Sequence, residues 1–319
     1  MQRVAAALTI MLFAFPAAAQ DWPTGTIKII VPFGAGATPD LVARLVADNM
    51  HQTLGHTFIV ENKPGASGNT GTDAIAKAAP DGATIGVSIG GPLAINPLLF
   101  GKLPYDPNKD LVLITMLATQ PSVLAVNTAL GVNSVGELVT LIKRNPGKYN
   151  FGSIGTGSLS QLAMVAIAMK SGTELVHVPY ASSPQAVTAL LRNDVQMACL
   201  PAISVVPQAK GGAIKILAVS TAGRSALLSG VPTLKEAGID VEADAWMGLV
   251  GPAGLPDAVV ARIGGLVRDA ITSPAIRDKL AAQLMEPIPD TPADFRAHIA
   301  ADVARWKPII AAANIKISQ

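Results

Sequence analysis

The chain has 319 residues, 50% of them hydrophobic and 14% charged, and its 24 Lys and Arg against 22 Asp and Glu give a formal charge of +2. This excludes a disordered chain, which combines low hydrophobicity with high net charge. It also argues against a nucleic-acid binder, because no Lys/Arg cluster supplies the concentrated positive footprint that a phosphate backbone needs.

At the front, Arg3 precedes an apolar run over residues 4–15, then Pro16 and the small triplet Ala17-Ala18-Ala19. That is the order of a cleaved secretory signal, here residues 1–19. The run is too short to cross a bilayer comfortably, so an exported chain with no membrane span is expected. The single Cys199 excludes an internal disulfide and a multi-cysteine metal site, and reads as a small buried hydrophobe.

Strand and helix patterns then alternate. Residues 27–32 predict a β-branched strand, and residues 39–54 a helix through Leu41, Val42, Leu45, Val46 and Met50 at helical spacing, with Thr38 as cap and Pro39 in its first turn. Residues 58–61 predict a strand, 68–79 a helix and 84–88 a strand. A turn-rich stretch spans 90–110. Strands are expected at 113–117 and 123–127, a helix at 135–145, a strand at 150–153, a helix at 158–171 and a strand at 175–178. A helix capped by Ser183 follows over 184–192, then strands at 197–200, 214–220 and 246–250. Helices over 256–272, 275–285 and 292–312 close the chain. This order predicts an α/β fold of mostly parallel sheets flanked by helices. Some 300 residues exceed one ordinary core, so two units are expected: residues 20–125 with 245–319, and residues 126–244.

A strand–turn–helix start recurs at residues 32–40, 67–71, 155–160 and 180–185. Small residues there leave backbone N–H groups uncovered at a helix N-terminus, where the dipole favours an anion. Such turns lie at the carboxyl ends of strands, where α/β domains bind ligands. Facing one another, they would cradle a carboxylate without Arg or Lys. The glycine turns match neither the dinucleotide fingerprint nor a phosphate loop, and Ser158 and Ser160 lie in no nucleophile elbow. His51, His56, His177 and His298 are dispersed without zinc-site spacing. His177 either faces a pocket or closes a strand. No cofactor, metal or catalytic set is expected.

Several blocks resemble the substrate-binding proteins of tripartite tricarboxylate transporters, the TctC-like or Bug family. They include Ile29-Ile30-Val31-Pro32-Phe33 with Gly36 and Asp40, Glu61-Asn62-Lys63-Pro64-Gly65-Ala66 with Gly68-Asn69, and Ala79-Pro80-Asp81-Gly82. Asn96-Pro97, Leu103-Pro104-Tyr105-Asp106-Pro107, Gly155-Thr156-Gly157-Ser158, His177-Val178-Pro179-Tyr180 and Gly230-Val231-Pro232-Thr233-Leu234 continue the likeness. The resemblance implies a type II-like periplasmic binding protein with two domains around a cleft, a monomer that captures a small organic acid for a membrane permease. It implies Phe33, Ala35, Ala37, Asp40, Asn69, Gly90, Gly157, Ser158 and Tyr180 near the ligand, with Trp246 bordering the hinge. Two departures stand out. Gln161 stands near a frequent family His, and Leu200 stands where the family often has Asp. If Leu200 lines the cleft, its far end is less polar and favours an aromatic or short apolar acid. Two rival readings remain: a ligand-sensing subunit that docks on a membrane receptor kinase, and a secreted enzyme acting on a carboxylate.

Overall fold

A computed structural model of the chain describes residues 22–317. The expected export signal lies outside the described residues. No helix among those described is long and apolar enough to cross a membrane.

The first unit starts with β1 (Ile27–Val31), α1 (Thr38–Leu54), β2 (Phe58–Asn62), α2 (Asn69–Ala76) and β3 (Thr84–Ile89). The cap of α1 is Ala37, and Thr38 is already helical; Asp40 performs the tying that a capping side chain would. The stretch expected as turns holds a wide helical turn at Gly91–Ile95 that runs into α3 (Asn96–Leu99). Gly90-Gly91-Pro92 and Asn96-Pro97 read as punctuation, yet Leu93, Ala94, Ile95 and Leu99 are buried there, and each proline sits where its missing N–H costs nothing. Then β4 (Leu111–Gln120) is separated from β5 (Ser122–Asn127) by Pro121 alone.

The second unit continues with α4 (Val135–Lys143), β6 (Asn150–Ser153), α5 (Leu159–Ser171), β7 (Val176–Pro179), α6 (Ser183–Leu191), β8 (Met197–Pro201), α7 (Ala202–Ala209) and β9 (Ile214–Val219). Ser182, not Ser183, precedes α6 as its cap, and its side chain makes no capping bond. Helix α7 is absent from the sequence reading because Pro201 and Pro207 mask it; the first is its cap and the second falls near its end. The chain returns as β10 (Ala245–Pro252), α8 (Asp257–Thr272), α9 (Pro274–Ala281), the short β11 (Glu286–Pro287) and α10 (Pro292–Ala312).

The strands form two sheets, ordered β11-β4-β10-β3-β1-β2 and β7-β6-β8-β5-β9. Both are mixed, which corrects the parallel majority expected from strand–helix alternation. The pairs β1–β2, β1–β3, β6–β7 and β6–β8 are parallel, while β10 runs antiparallel to β3 and β4, and β5 to β8 and β9. The cause is connectivity. β3, β4, β8 and β9 end at the junction between the units, whereas β5 and β10 start there, so they must run the other way. The first crossing falls at Pro121, so the boundary expected after residue 125 lies inside β5. A nearly continuous buried stretch over residues 111–127, broken only by Pro121 between its strands, hides it.

Each sheet buries both faces. In the first lobe, Ile29, Val31, Ile85 and Leu249 pack against Val42 and Val46 of α1 and Ile263 and Val267 of α8. Ile30, Met116 and Trp246 pack on the other face with Ile75 of α2 and Phe295 and Ile299 of α10. The C-terminal half of α10 belongs elsewhere: Trp306 and Ile310 join the core of the second lobe with Leu162 and Ile167 of α5. Helix α10 is therefore a strap across both lobes.

Candidate functional site

A cavity of about 470 Å³ lies between the lobes, within the size range of small-molecule sites. Its floor is the double crossing. Gln120 and Ala245 pair across β4 and β10, and Gln120, Ser122, Asp244, Ala245 and Trp246 all line it. Beneath them Ser220 is fully buried, with its hydroxyl 3.1 Å from the Ser122 carbonyl and 3.0 Å from the Ala243 carbonyl, which stitches the outgoing and returning chain together. Trp246 donates from Nε1 to Asp302 Oδ2 of α10 at 2.7 Å, which fastens the strap to the floor.

The first lobe contributes Phe33, Thr38 and Pro39 from the turn after β1, Ser67 from the turn before α2, and Gly90 and Gly91 after β3. Ala35 and Ala37 belong to the same turn as Phe33 but do not line the cavity; the chain faces it with Thr38 and Pro39 instead. Asp40 is likewise off the wall and only 1% exposed. Its carboxylate accepts the Gly36 N–H at 2.8 Å, Asn62 Nδ2 at 2.9 Å and a two-pronged pair from Arg44 at 2.9 and 3.0 Å. Burial pushes its pKa up, but the Arg44, Gly36 and Asn62 hydrogen bonds outweigh that and hold it below the usual carboxylate range. Asp40 therefore shapes the turn that presents Phe33 and Thr38.

Asn69 also works from behind. It is buried, and its Oδ1 accepts from Asn96 Nδ2 at 2.7 Å and lies 3.0 Å from the Tyr105 hydroxyl. Asn96 in turn donates to the Ser67 carbonyl at 3.1 Å. The wall residues Asn96 and Ser67 are thus held in register by a residue that does not line the wall. Replacing Asp40 with alanine should free the Gly36 tether and strip Arg44 of its carboxylate, leaving Asn62 only its bond to the Phe33 carbonyl on that side, lowering stability by about 1–3 kcal/mol. Calorimetric titration should show weakened ligand binding as the turn loosens, whereas Asp48→Ala, on the exposed side of α1, should change neither.

The second lobe contributes Ile154–Ser160 and Pro201. Ser158 caps α5, accepting the Gln161 N–H, and donates to the Gly155 carbonyl at 2.6 Å. Its hydroxyl also meets Ser160 Oγ at 2.9 Å, and Ser160 Oγ accepts the Ile154 N–H at 2.9 Å. The two hydroxyls are consumed in building the turn. What the turn offers the cavity is its first-turn backbone N–H groups, those of Leu159 and Ser160, which have no acceptor within the helix. These donors and the helix dipole favour an anion there. Gly157 has φ +77°, and its N–H donates to Gln161 Oε1 at 2.6 Å.

Gln161 and His177 support this turn from beneath. Because Gln161 Oε1 is an acceptor, its Nε2 donates to His177 Nδ1 at 3.1 Å, which leaves the His177 proton on Nε2, 2.6 Å from Ser153 Oγ. Burial pushes the His177 pKa down, consistent with this neutral tautomer. The ring stacks on Phe151, so His177 fixes a strand and does not face the cavity.

Two further expectations move. Tyr180 stands outside the cleft, against Gly152 and in a shallow surface depression with Gln185 and Arg192. The turn that carries it follows β7, the edge strand farthest from the crossing, so its helix start cannot converge with the other three. Leu200 is fully buried with Val123, Val187 and Val205. It pairs with Val123, and strand alternation turns both away from the face that carries Cys199 and Leu124. Leu200 does not line the cleft, so the less polar far end drawn from it lapses. Cys199 is buried as expected, and burial pushes its thiol up to about 12. Sequence reasoning missed Asn96, Gln120, Ser122 and Asp244 as wall residues, and it placed the turns that hold Thr38 and Ser160 at the ligand without singling out either residue. The crossing residues carry no local motif; what could have flagged them is the one-proline break between two buried strands.

Two α/β lobes, a paired-strand hinge and a cavity walled by turns from both lobes define a bilobal solute-binding protein. The family model described as the tripartite tricarboxylate transporter family receptor, TctC, matches residues 42–315. Protein BugT of Bordetella pertussis is 31% identical over 99% of both chains. Among solved structures, R. palustris Rpa4515 with adipate superposes with a TM-score of 0.81 at 31% identity, covering 93% of this chain and 99% of that one. MatC from Rhodopseudomonas palustris with bound malate gives 0.75 at 27%, covering 91% and all of that chain, 100%. The chain belongs to the TctC family of solute-binding receptors.

Proposed function

We propose that the protein is an extracytoplasmic receptor that captures a small organic carboxylate between its lobes and delivers it to a tripartite tricarboxylate-type membrane permease. The observation that carries this reading is the convergence of three glycine-rich helix starts on one cavity, with first-turn donors and, among the described residues, no basic side chain on its wall. That is a site for a carboxylate recognised through backbone dipoles. The relatives crystallised with adipate and malate support the same chemistry. A ligand that bridges both lobes binds the closed arrangement better than the open one, and this differential affinity shifts the population toward closure. The closed surface is then what a permease would read. The segment with the features of an export signal fits a periplasmic location.

A ligand that binds only the native state raises the melting temperature by mass action. The ligand-stripped protein should therefore show one saturable thermal shift in a panel of mono-, di- and tricarboxylates, aromatic acids and amino acids. The same ligand should be recovered unchanged. No shift anywhere, with native mass spectrometry showing an empty protein, would overturn the proposal; chemical conversion of the ligand would replace it with an enzyme.

A further inference from the structure

The cleft has two chemically different ends. At the glycine turns its polar groups are donors, the first-turn N–H groups of α5. At the hinge its charged groups are acceptors, because Asp244 and Asp302 both line the wall there beside Trp246. The two carboxylates are not equivalent. Asp302 is buried and satisfied, with Trp246 Nε1 on one oxygen and the Arg305 guanidinium on the other. Asp244 has no such partner: among the described residues no side-chain donor or cation bonds its carboxylate, which meets only its own backbone N–H.

The charged groups around Asp244 do not complete it. Glu242 stands two residues before it, and Asp302 and Arg305 face it from α10. Arg305 is already engaged by Asp302 and by Glu242, the latter at 3.1 Å. Burial, reinforced by Glu242 and then Asp302, pushes Asp244 up to about 7. Asp244 is half-buried on the cavity wall, and a partly desolvated carboxylate without a partner there is favoured by a cation that completes it. The open space before Asp244 is the ligand cavity.

We propose that Asp244 is a specificity residue that receives a protonated amine on the ligand, so that the solute is an amino-substituted carboxylate and not a plain diacid. This rests on the carboxylate reading above and narrows it. The carboxylate lies at the α5 turn and the ammonium completes Asp244 at the hinge. A plain diacid would instead set a second carboxylate against Asp244 and Asp302.

The sign of the pH response separates the two ligand classes. An ammonium needs ionised Asp244, so its affinity should rise as pH increases through about 7. A second carboxylate is repelled by ionised Asp244, so its affinity should fall over the same interval. The test is calorimetric titration of the ligand-stripped chain with aspartate, glutamate, 4-aminobutyrate and 6-aminohexanoate against succinate, adipate and hexanoate, from about pH 6 to about pH 8. One amino acid should bind at least about tenfold tighter than its matched diacid at the upper pH, and Asp244→Asn should weaken it by about tenfold while strengthening the diacid. The wild-type pH series keeps the test valid if the variant does not fold. Diacids favoured at the upper pH, or Asp244→Asn shifting both classes equally, would overturn the assignment while leaving the carboxylate receptor standing. No binding of any carboxylate would overturn both.

Discussion

Trp246→Ala is expected to cost about 3–5 kcal/mol of folding stability and to abolish ligand binding in the same protein. Trp246 is 2% exposed at the point where β10 enters the first sheet. Its ring meets Phe295 edge-on at 5.7 Å and His298 at 5.2 Å, both on α10, and its Nε1 reaches Asp302 on the same helix. Its opposite side lies against Gly90, where even a Cβ would come within 3.1 Å of the indole. Removing the ring therefore opens the cleft floor, empties the core beneath it and unfastens the strap together. Trp246→Phe separates these contributions. It keeps most of the apolar volume and deletes the bond to Asp302, which retains Arg305, so it should cost only about 1–2 kcal/mol. Urea unfolding of both variants, with titration of whatever ligand the thermal screen finds, checks the expectation. Equal damage from both substitutions would mean that the hydrogen bond, and not packing, holds the strap. A loss below about 1 kcal/mol for the alanine variant would mean that α10 is held by other contacts.

The strap explains why the fold was more legible in the sequence than the site. Elements with their own periodicity and punctuation, such as β1 with α1 or β6 with α5, were readable locally. The residues that close the cleft come from tertiary pairing. Gln120 and Asp244 stand far apart in the chain and lie at one floor only because β10 returns beside β4. Nothing within a short window around either announces that. The same limit misplaced Leu200, because its strand was recognised but the face it presents depends on how β8 pairs with β5. Tyr180 failed for a related reason: its turn has the right local chemistry but follows an edge strand. The family likeness carried the order of the blocks well, yet several of its quoted residues act one layer behind the wall. Asp40, Asn69, Gln161 and His177 each bond a turn and do not line the cavity. A buried polar residue that organises a loop leaves the same imprint in a sequence as one that touches the ligand.

Gly157→Ala is the second substitution expected to have a large effect, and it acts on the wall that the second lobe presents. At φ +77° an L residue with a Cβ is disfavoured, which costs about 1–2 kcal/mol. The added methyl group would also fall 2.7 Å from Ile317 Cδ1 and 2.8 Å from Leu99 Cδ1. Leu99 ends α3, and Ile317 pairs with Phe100 in the bridge that follows it. Leu99 and Ile317 both pack with the second-lobe core, so the clash pushes the α5 turn away from the segment it rests on and displaces the wall it presents to the cavity. Overpacking of this kind adds about 1–3 kcal/mol. If half of the total is charged to the ligand-competent arrangement, affinity should drop by about 5- to 60-fold, since 1.4 kcal/mol is a factor of ten. Gly172→Ala supplies the control. It has a similar φ of +62° at the other end of α5, with nothing within 4 Å of the added Cβ. It should lose stability by the backbone cost alone and keep its affinity. Equal affinity losses in the two variants would show that backbone strain, and not displacement of the α5 turn, limits binding; a Gly157→Ala protein that binds normally would remove the α5 turn from the set of elements that hold the ligand.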